Sequence, residues 1–503
     1  MSPAATENYR KLMQMAAELA DLSSAEALLG WDQETKMPRK GIEGRAQVSA
    51  TLAGVHHERL TRPEMGEALA ALRGNGTALD DEARAQVEDL WWSYTRATKL
   101  PGDLVRRLAE TRSRATAVWA EARAAKDFPR FAPHLKEIIA LSREVAEAYG
   151  YEADVYDALL EEYEPGARTA DTAVVLSEVK DFLVPFLRAI AESGKEIDLT
   201  PVLGPFDRAK QAAFGEQVVR AMGFDLDAGR IDTANHPFCS GIHPGDVRLA
   251  TRYKDDIRVG LFGTIHEAGH GLYEQGVAAA LGRTPLGSIR SLGIHESQSR
   301  LWENNVGLSL PFWKAFYPSL QATFPGPLAD VPLDTFFAAV NDVRPSFIRI
   351  EADEVTYNLH VVVRFELEHE LINGRLGVDD LPEAWNARYA EYLGITPPTP
   401  DVGVLQDIHW SSGLFGYFPT YTLGSLNAAQ FYAAAARDIP SLESRIERGD
   451  LIPLKDWLVE NVHRWGNRFK PEELVERATG HPTRADEFIA YMKAKYEPLY
   501  GLR

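Results

Sequence analysis

The sequence predicts a mostly helical protein, one large unit with a small β-sheet near its middle. Three observations carry that expectation. Apolar residues recur at three- and four-residue spacing through most of the chain, the period of a helix that buries one face. Ala, Leu, Glu and Arg are abundant in these stretches, and all four favour helix intrinsically. Pro, Gly and short β-prone runs gather in one interval, about 196–256, where loops and strands are expected.

The elements follow in order. Residues 5–30 keep apolar positions on one helical face and end on Gly30, a helix stop. Segments 78–97 and 100–125 repeat the pattern, with Pro101-Gly102 as punctuation between them. Segments 130–151 and 172–193 complete a helical region over about residues 1–190. The interval after it holds Pro201, Pro205, His236-Pro237-Phe238 and His243-Pro244-Gly245. Within it DVRLATRY (246–253) and DIRVGLF (256–262) are the strand candidates, the second equally readable as the start of the next helix. Helix then returns to the end, broken by loops around 323–333 and 394–404. No repeat, low-complexity tract or linker divides the chain, so residues 1–503 read as a single unit.

Composition narrows the function. The net charge is −19, which repels phosphate backbones and anionic lipid and argues against nucleic acid or membrane as partner. Cys239 is the one cysteine of the chain. It can form no internal disulfide, which suits a reducing compartment. Any metal must then be held by His and carboxylates. No basic segment followed by an apolar core opens the chain, and no apolar run nears the ~18 residues that span a bilayer. A cytoplasmic protein is the expectation.

The chemistry concentrates in His266-Glu267-Ala268-Gly269-His270. Helical residues four apart sit ~40° apart around the axis and ~6 Å along it, so both imidazoles can reach one ion. Zinc accepts neutral imidazole, and a catalytic site needs one more protein ligand and an open position. Glu267, beside the first histidine, can take a proton from a water whose pKa the ion has lowered. Gly269 costs a helix ~1 kcal/mol against Ala, which suggests that something approaches closely there. For the third ligand, the adjacent His295 and Glu296 each qualify. Two His plus a Glu from a second helix is a set that zinc hydrolases use, which favours Glu296. Glu303 could orient a ligand histidine from behind, or equally be a solvated or structural carboxylate.

Several ordered motifs then share a pattern. They are His236-Pro237-Phe238, Asp246-Val247-Arg248, the metal motif, His295-Glu296-Ser297-Gln298, Ile348-Arg349-Ile350-Glu351-Ala352-Asp353, and Gly403-Val404-Leu405-Gln406-Asp407-Ile408-His409-Trp410. Trp31-Asp32-Gln33 and Met37-Pro38 precede them. With these, nearly the whole chain resembles the Taq-type thermostable carboxypeptidases, a family of metallocarboxypeptidases. One position departs. The family's D-x-R-x-T puts Thr where this chain has Ala250, followed by Thr251; a hydroxyl is lost, while Asp246 and Arg248 remain.

The resemblance implies a clam-like helical body with a deep central groove, often a homodimer, and the small sheet is expected near the active site. It implies removal of single C-terminal residues with broad preference from peptides with a free C-terminus, using zinc or cobalt held by His266, His270 and Glu296. The catalytic core is expected over about 230–425, with the helices of about 1–190 covering the groove. A free carboxylate calls for an arginine fork. Arg248 and Arg349 lie in family motifs and are the candidates; each could instead form an ion pair, Arg248 with Asp246 and Arg349 with Glu351 or Asp353. Arg290 is a further candidate that nothing singles out. The oxyanion of the tetrahedral intermediate needs a donor, for which His409 and Tyr421 are chosen ahead of Tyr417, with Asp407 behind them. Cys239, close in sequence to His236 and His243, reads as an inert thiol. The rivals are a helical metallo-oligopeptidase or dipeptidyl carboxypeptidase with the same ligands, and a non-catalytic metal-binding scaffold. The scaffold's mark would be loss of the carboxylate at 267.

Overall fold

A computed structural model describes residues 3–74 and 79–502 and is helical through most of its length. Ala78, the first residue of one predicted helix, lies outside the described residues. Among those described, no helix is long and apolar enough to cross a membrane.

The first helices pack on one another. Pro3–Thr35, Ile42–Thr61, Pro63–Gly74 and Asp81–Lys99 share a small core that includes Leu12, Met65, Leu69 and Val87. Two larger cores make up the rest. One joins Gly102–Ala125, Phe128–Tyr149, Thr169–Glu192, Glu354–Ile372, Leu381–Leu393 and the final helix Asp486–Tyr500, through residues such as Leu135, Leu183, Val361, Trp385 and Met492. The other joins Arg208–Met222, the sheet, Ile257–Gly276, Leu310–Thr323 and Ile452–Asn461, through Val218, Leu249, Ile265, Trp313 and Leu458. The helix Pro419–Asp438 belongs to both, giving Leu426 and Ala429 to the first and Ala428 and Phe431 to the second.

The sheet has three strands, β1 (Gly229–Thr233), β2 (Phe238–His243) and β3 (Asp246–Thr251), in the order β1-β3-β2. β1 runs parallel to β3, and β2 forms an antiparallel hairpin with it. Alternate residues of a strand face opposite sides. Leu249 accordingly packs against Gly271 of the helix Ile257–Gly276, while Arg248 points the other way, its guanidinium 4.3 Å from the ring centre of Trp31. Arg230, its register partner on β1, stacks on the same ring.

One strand candidate is helix instead. DIRVGLF opens the helix Ile257–Gly276, because the Asp256 carboxylate accepts the Arg258 N–H as an N-cap. Ile257, Leu261, Ile265, Ala268 and Leu272 then follow one buried helical stripe. The predicted loop at 323–333 contains a short helical turn, Pro325–Leu328. The arginine motif falls in a break that periodicity did not suggest: Arg349–Glu351 is a 3₁₀ turn. Asp353 then caps the helix Glu354–Ile372 by accepting the Val355 and Thr356 N–H groups.

Candidate metal centre

His266 and His270 lie one turn apart on the helix Ile257–Gly276. The helix Leu292–Arg300 crosses it and brings Glu296 to them. The crossing is close because Gly269 has no side chain; a Cβ there would lie 2.6 Å from the Gln298 carbonyl oxygen. The same helix also meets Gly424, where a Cβ would lie 2.6 Å from Glu296 Cγ. The Glu296 helix thus packs closely on glycines of two neighbouring helices.

The three side chains converge. Glu296 Oε2 is 3.6 Å from His266 Nε2 and 3.5 Å from His270 Nε2, and one donor atom of each lies within 4.8 Å of the others. A tetrahedral ion with bonds of ~2.1 Å separates its ligands by about 3.4 Å, so the spacing fits a small divalent cation. The remaining ring nitrogens are engaged from outside. Glu303 accepts from His266 Nδ1 at 2.7 Å. The His295 carbonyl accepts from His270 Nδ1 at 3.0 Å. Both contacts favour protonated Nδ1 and leave the Nε2 lone pairs free for a metal. Glu303 reaches its histidine from a π-helical segment, Leu301–Gly307, a winding that the sequence did not signal.

His295 points away from this convergence. It contacts His270 from behind and hydrogen-bonds Glu274 through Nε2 at 3.0 Å. Adjacent helical residues diverge by ~100°, which is why Glu296 and His295 cannot both face the ion.

Electrostatics differ from residue to residue. Burial raises the Glu267 carboxyl to about 7, a value suited to a general base near neutrality. Burial opposes a charge on His266, yet Glu296 and Glu303 together carry it to about 9, so a metal binding at Nε2 displaces a proton there. Burial and the neighbouring His295 lower His270 to about 3. Burial also pushes the Cys239 thiol well up, helped by Glu274 and Glu267. That is the opposite of an activated nucleophile.

A second group stands beside the first. His409 Nε2 is 3.3 Å from the Tyr421 hydroxyl. The Arg349 guanidinium packs 4.7 Å from the Tyr421 ring centre and donates to Asp407 through Nε and Nη2, at 3.2 and 2.9 Å. Its Nη1 donates to the Tyr357 hydroxyl. The partner of Arg349 is therefore Asp407, 58 residues later, rather than Glu351 or Asp353. Arg364, fully buried, holds the other Asp407 oxygen through Nε at 2.7 Å. Burial, with Arg349 adding to it, lowers His409 to about 3, so the ring is neutral.

Arg248 is not in this group. It pairs with Asp246 at 2.8 and 2.9 Å on the sheet face that meets the N-terminal helix. Arg290 forks onto Asp89 at 2.7 Å and ties the helix Asp81–Lys99 to the approach of the Glu296 helix. The N-terminal helix itself lies against β2, where Ser24 Oγ donates to the Ile242 carbonyl at 2.7 Å.

Residues the sequence did not single out include Tyr357, Arg364 and Glu368. The last pair is spaced four apart on one helix, a visible pattern, but burial is what gives it meaning. Glu368 accepts from Tyr156 Oη at 2.7 Å, Trp410 Nε1 at 2.8 Å and the Gly416 N–H at 3.2 Å, anchoring the segment that carries His409. Burial raises its carboxyl from 4.5 to about 7. A raised folded-state pKa gives stability that is fully present below pH 4.5 and is lost as pH rises toward 7, at most about 1.4 kcal/mol per pH unit. Glu368→Gln cannot ionise. Thermal melts should therefore show wild type losing ground to this variant between about pH 4.5 and 7 and a level gap above that; a constant gap across the range would contradict the expectation.

Comparison with known proteins agrees along the whole chain. Residues 11–496 match the family model described as Carboxypeptidase Taq (M32) metallopeptidase. Thermostable carboxypeptidase 1 of Thermus thermophilus is 45% identical, over all of both chains. Carboxypeptidase 1 of Bacillus subtilis is 37% identical over 98% of this chain and 99% of that one. The crystal structure of the M32 carboxypeptidase from Deinococcus radiodurans R1 superposes with a TM-score of 0.96 at 42% identity, covering 98% of this chain and 100% of the other.

Proposed function

This chain belongs to the carboxypeptidase Taq (M32) metallopeptidases and is a metallocarboxypeptidase; from that premise we propose that it removes single C-terminal residues from peptides with broad preference. The observation that carries the reading is the convergence of His266 Nε2, His270 Nε2 and Glu296 Oε2 beside Glu267.

His266, His270 and Glu296 would hold one divalent ion, zinc by choice of donors, with cobalt also suited to two imidazoles and a carboxylate. A bound ion polarises the scissile carbonyl and lowers the pKa of a water. Glu267 takes the proton of the attacking water and delivers it to the leaving amine nitrogen. The Tyr421 hydroxyl donates to the carbonyl oxygen as negative charge develops there, with His409 orienting it. Arg349 recognises the terminal carboxylate. Three of its five N–H groups are engaged by Asp407 and Tyr357, which leaves two for a ligand. The geometry favours Arg349 over Arg248, whose stacking on Trp31 suits it to bracing the N-terminal helix. A cytoplasmic homodimer, with the N-terminal helices covering the groove of one peptidase unit, completes the reading. The single cysteine supports the compartment, and the family resemblance supports the dimer.

The test uses matched peptides with free and amidated C-termini. The free acid should lose one residue at a time, and the amide should stay intact. Activity should vanish on chelation and return with added zinc or cobalt. Release of dipeptides, or cleavage of the amide, would favour a dipeptidyl carboxypeptidase or an oligopeptidase instead.

A further inference from the structure

Glu296 has two oxygens, and they have different neighbours. Oε2 faces both histidine Nε2 atoms and accepts the Ser299 hydroxyl at 3.1 Å. Oε1 accepts Nε of Arg300 at 2.7 Å. The same guanidinium donates through Nη1 to Glu303 Oε2 at 3.3 Å, the oxygen that also holds His266 Nδ1. It lies over the Tyr357 ring, its Cζ 4.0 Å from the ring centre, and its side chain is only 14% exposed. One cation is thus fixed between a carboxylate that faces the metal site and the carboxylate that orients a metal-site histidine.

We propose that Arg300 is a positioning residue that makes Glu296 a one-oxygen ligand, by occupying Oε1 and leaving Oε2 for the ion. This rests on the metal site of the proposed function. A carboxylate free to turn could offer both oxygens and take up a coordination position that catalysis needs open. Arg300 prevents that rotation, and through Glu303 it holds His266 in the same frame. A planar fork suits this task because it meets two carboxylates at once, which an ammonium on a flexible stem does less well.

The experiment loads the full-length protein with cobalt(II) and reads two quantities besides activity. These are the affinity, by competition with a chelator, and the visible d–d absorption, which weakens as coordination number rises. Arg300→Met should hold cobalt about 10–100-fold more weakly and show weaker bands. Arg300→Lys, which keeps a charge and an apolar stem, should fall between, and it serves as the readout where the Met variant does not fold. Arg388→Met is the control. It breaks a comparably buried ion pair with Glu366 and Glu370 on another helix, and should leave affinity and spectrum unchanged. Wild-type affinity and spectrum in both Arg300 variants would overturn the proposal, as would equal weakening in Arg388→Met. A wild-type chain that binds no cobalt, or binds it as well after His266→Ala, would overturn the metal site itself and the proposal with it.

Discussion

Glu267→Gln is expected to leave one metal ion bound per chain while turnover falls by roughly 10²–10⁴-fold, the range for loss of a general base. The volume and shape of the side chain are preserved, so the buried position should stay packed. Its carboxylate is not among the three convergent donors, so metal content by elemental analysis should match wild type. The pH profile gives an independent reading. Burial holds the Glu267 carboxyl near 7, and a bound cation lowers it. The base works when deprotonated, so wild-type kcat/KM should rise with pH along an acid limb centred at or below 7, and the Gln variant should lack that limb. Full activity in Glu267→Gln would sink the mechanism. Loss of metal would mean that Glu267 acts as a ligand.

The largest expected effect on stability comes from Gly269→Ala. By helix propensity alone this change should stabilise by ~1 kcal/mol. The crossing helix reverses the sign. A Cβ at 269 would sit 2.6 Å from the Gln298 carbonyl oxygen and 2.7 Å from Ser299 Cα, both backbone atoms that no rotamer change can move. The Glu296 helix has little room to shift, because it also packs closely on Gly424. Overpacking of this kind costs about 1–3 kcal/mol, occasionally more. It should also shift Glu296 relative to the two histidines and weaken zinc retention. Melts of metal-free protein and zinc competition measure the two effects separately. A variant as stable as wild type with unchanged zinc affinity would show that the crossing tolerates a side chain at 269.

One local choice stayed open in the sequence. DIRVGLF carries β-branched and aromatic residues that suit a strand, and only its cap decides otherwise. Asp256 could have signalled that helix start. The π-helical segment had no such signal: Leu301, Trp302 and Val306 are ordinary apolar residues, and all three are buried. Arg349 was legible as an arginine within a motif, but not its partner. Asp407 lies 58 residues on, and Arg364 fills the same carboxylate's other side. Arg300 stood four residues after Glu296, a spacing the eye can find, yet its contact with Glu303 and Tyr357 depends on a register that the sequence does not display.

The sequence by itself determined what a few residues of separation can determine. The 3.6-residue period set the helices, and spacing by four gave His266 and His270 one face. The absence of a side chain at 269 marked a close approach without naming what approaches. Tertiary structure decided the rest. It brought Glu296, which donor chemistry already favoured over His295, to that face, turned Arg248 onto the sheet's far side, and joined Arg349 to Asp407. The reason is one of range. Local geometry follows from backbone stereochemistry within a turn or two. Contacts between residues tens of positions apart depend on how helices cross and how a sheet is pleated, and these are set by the packing of the whole core.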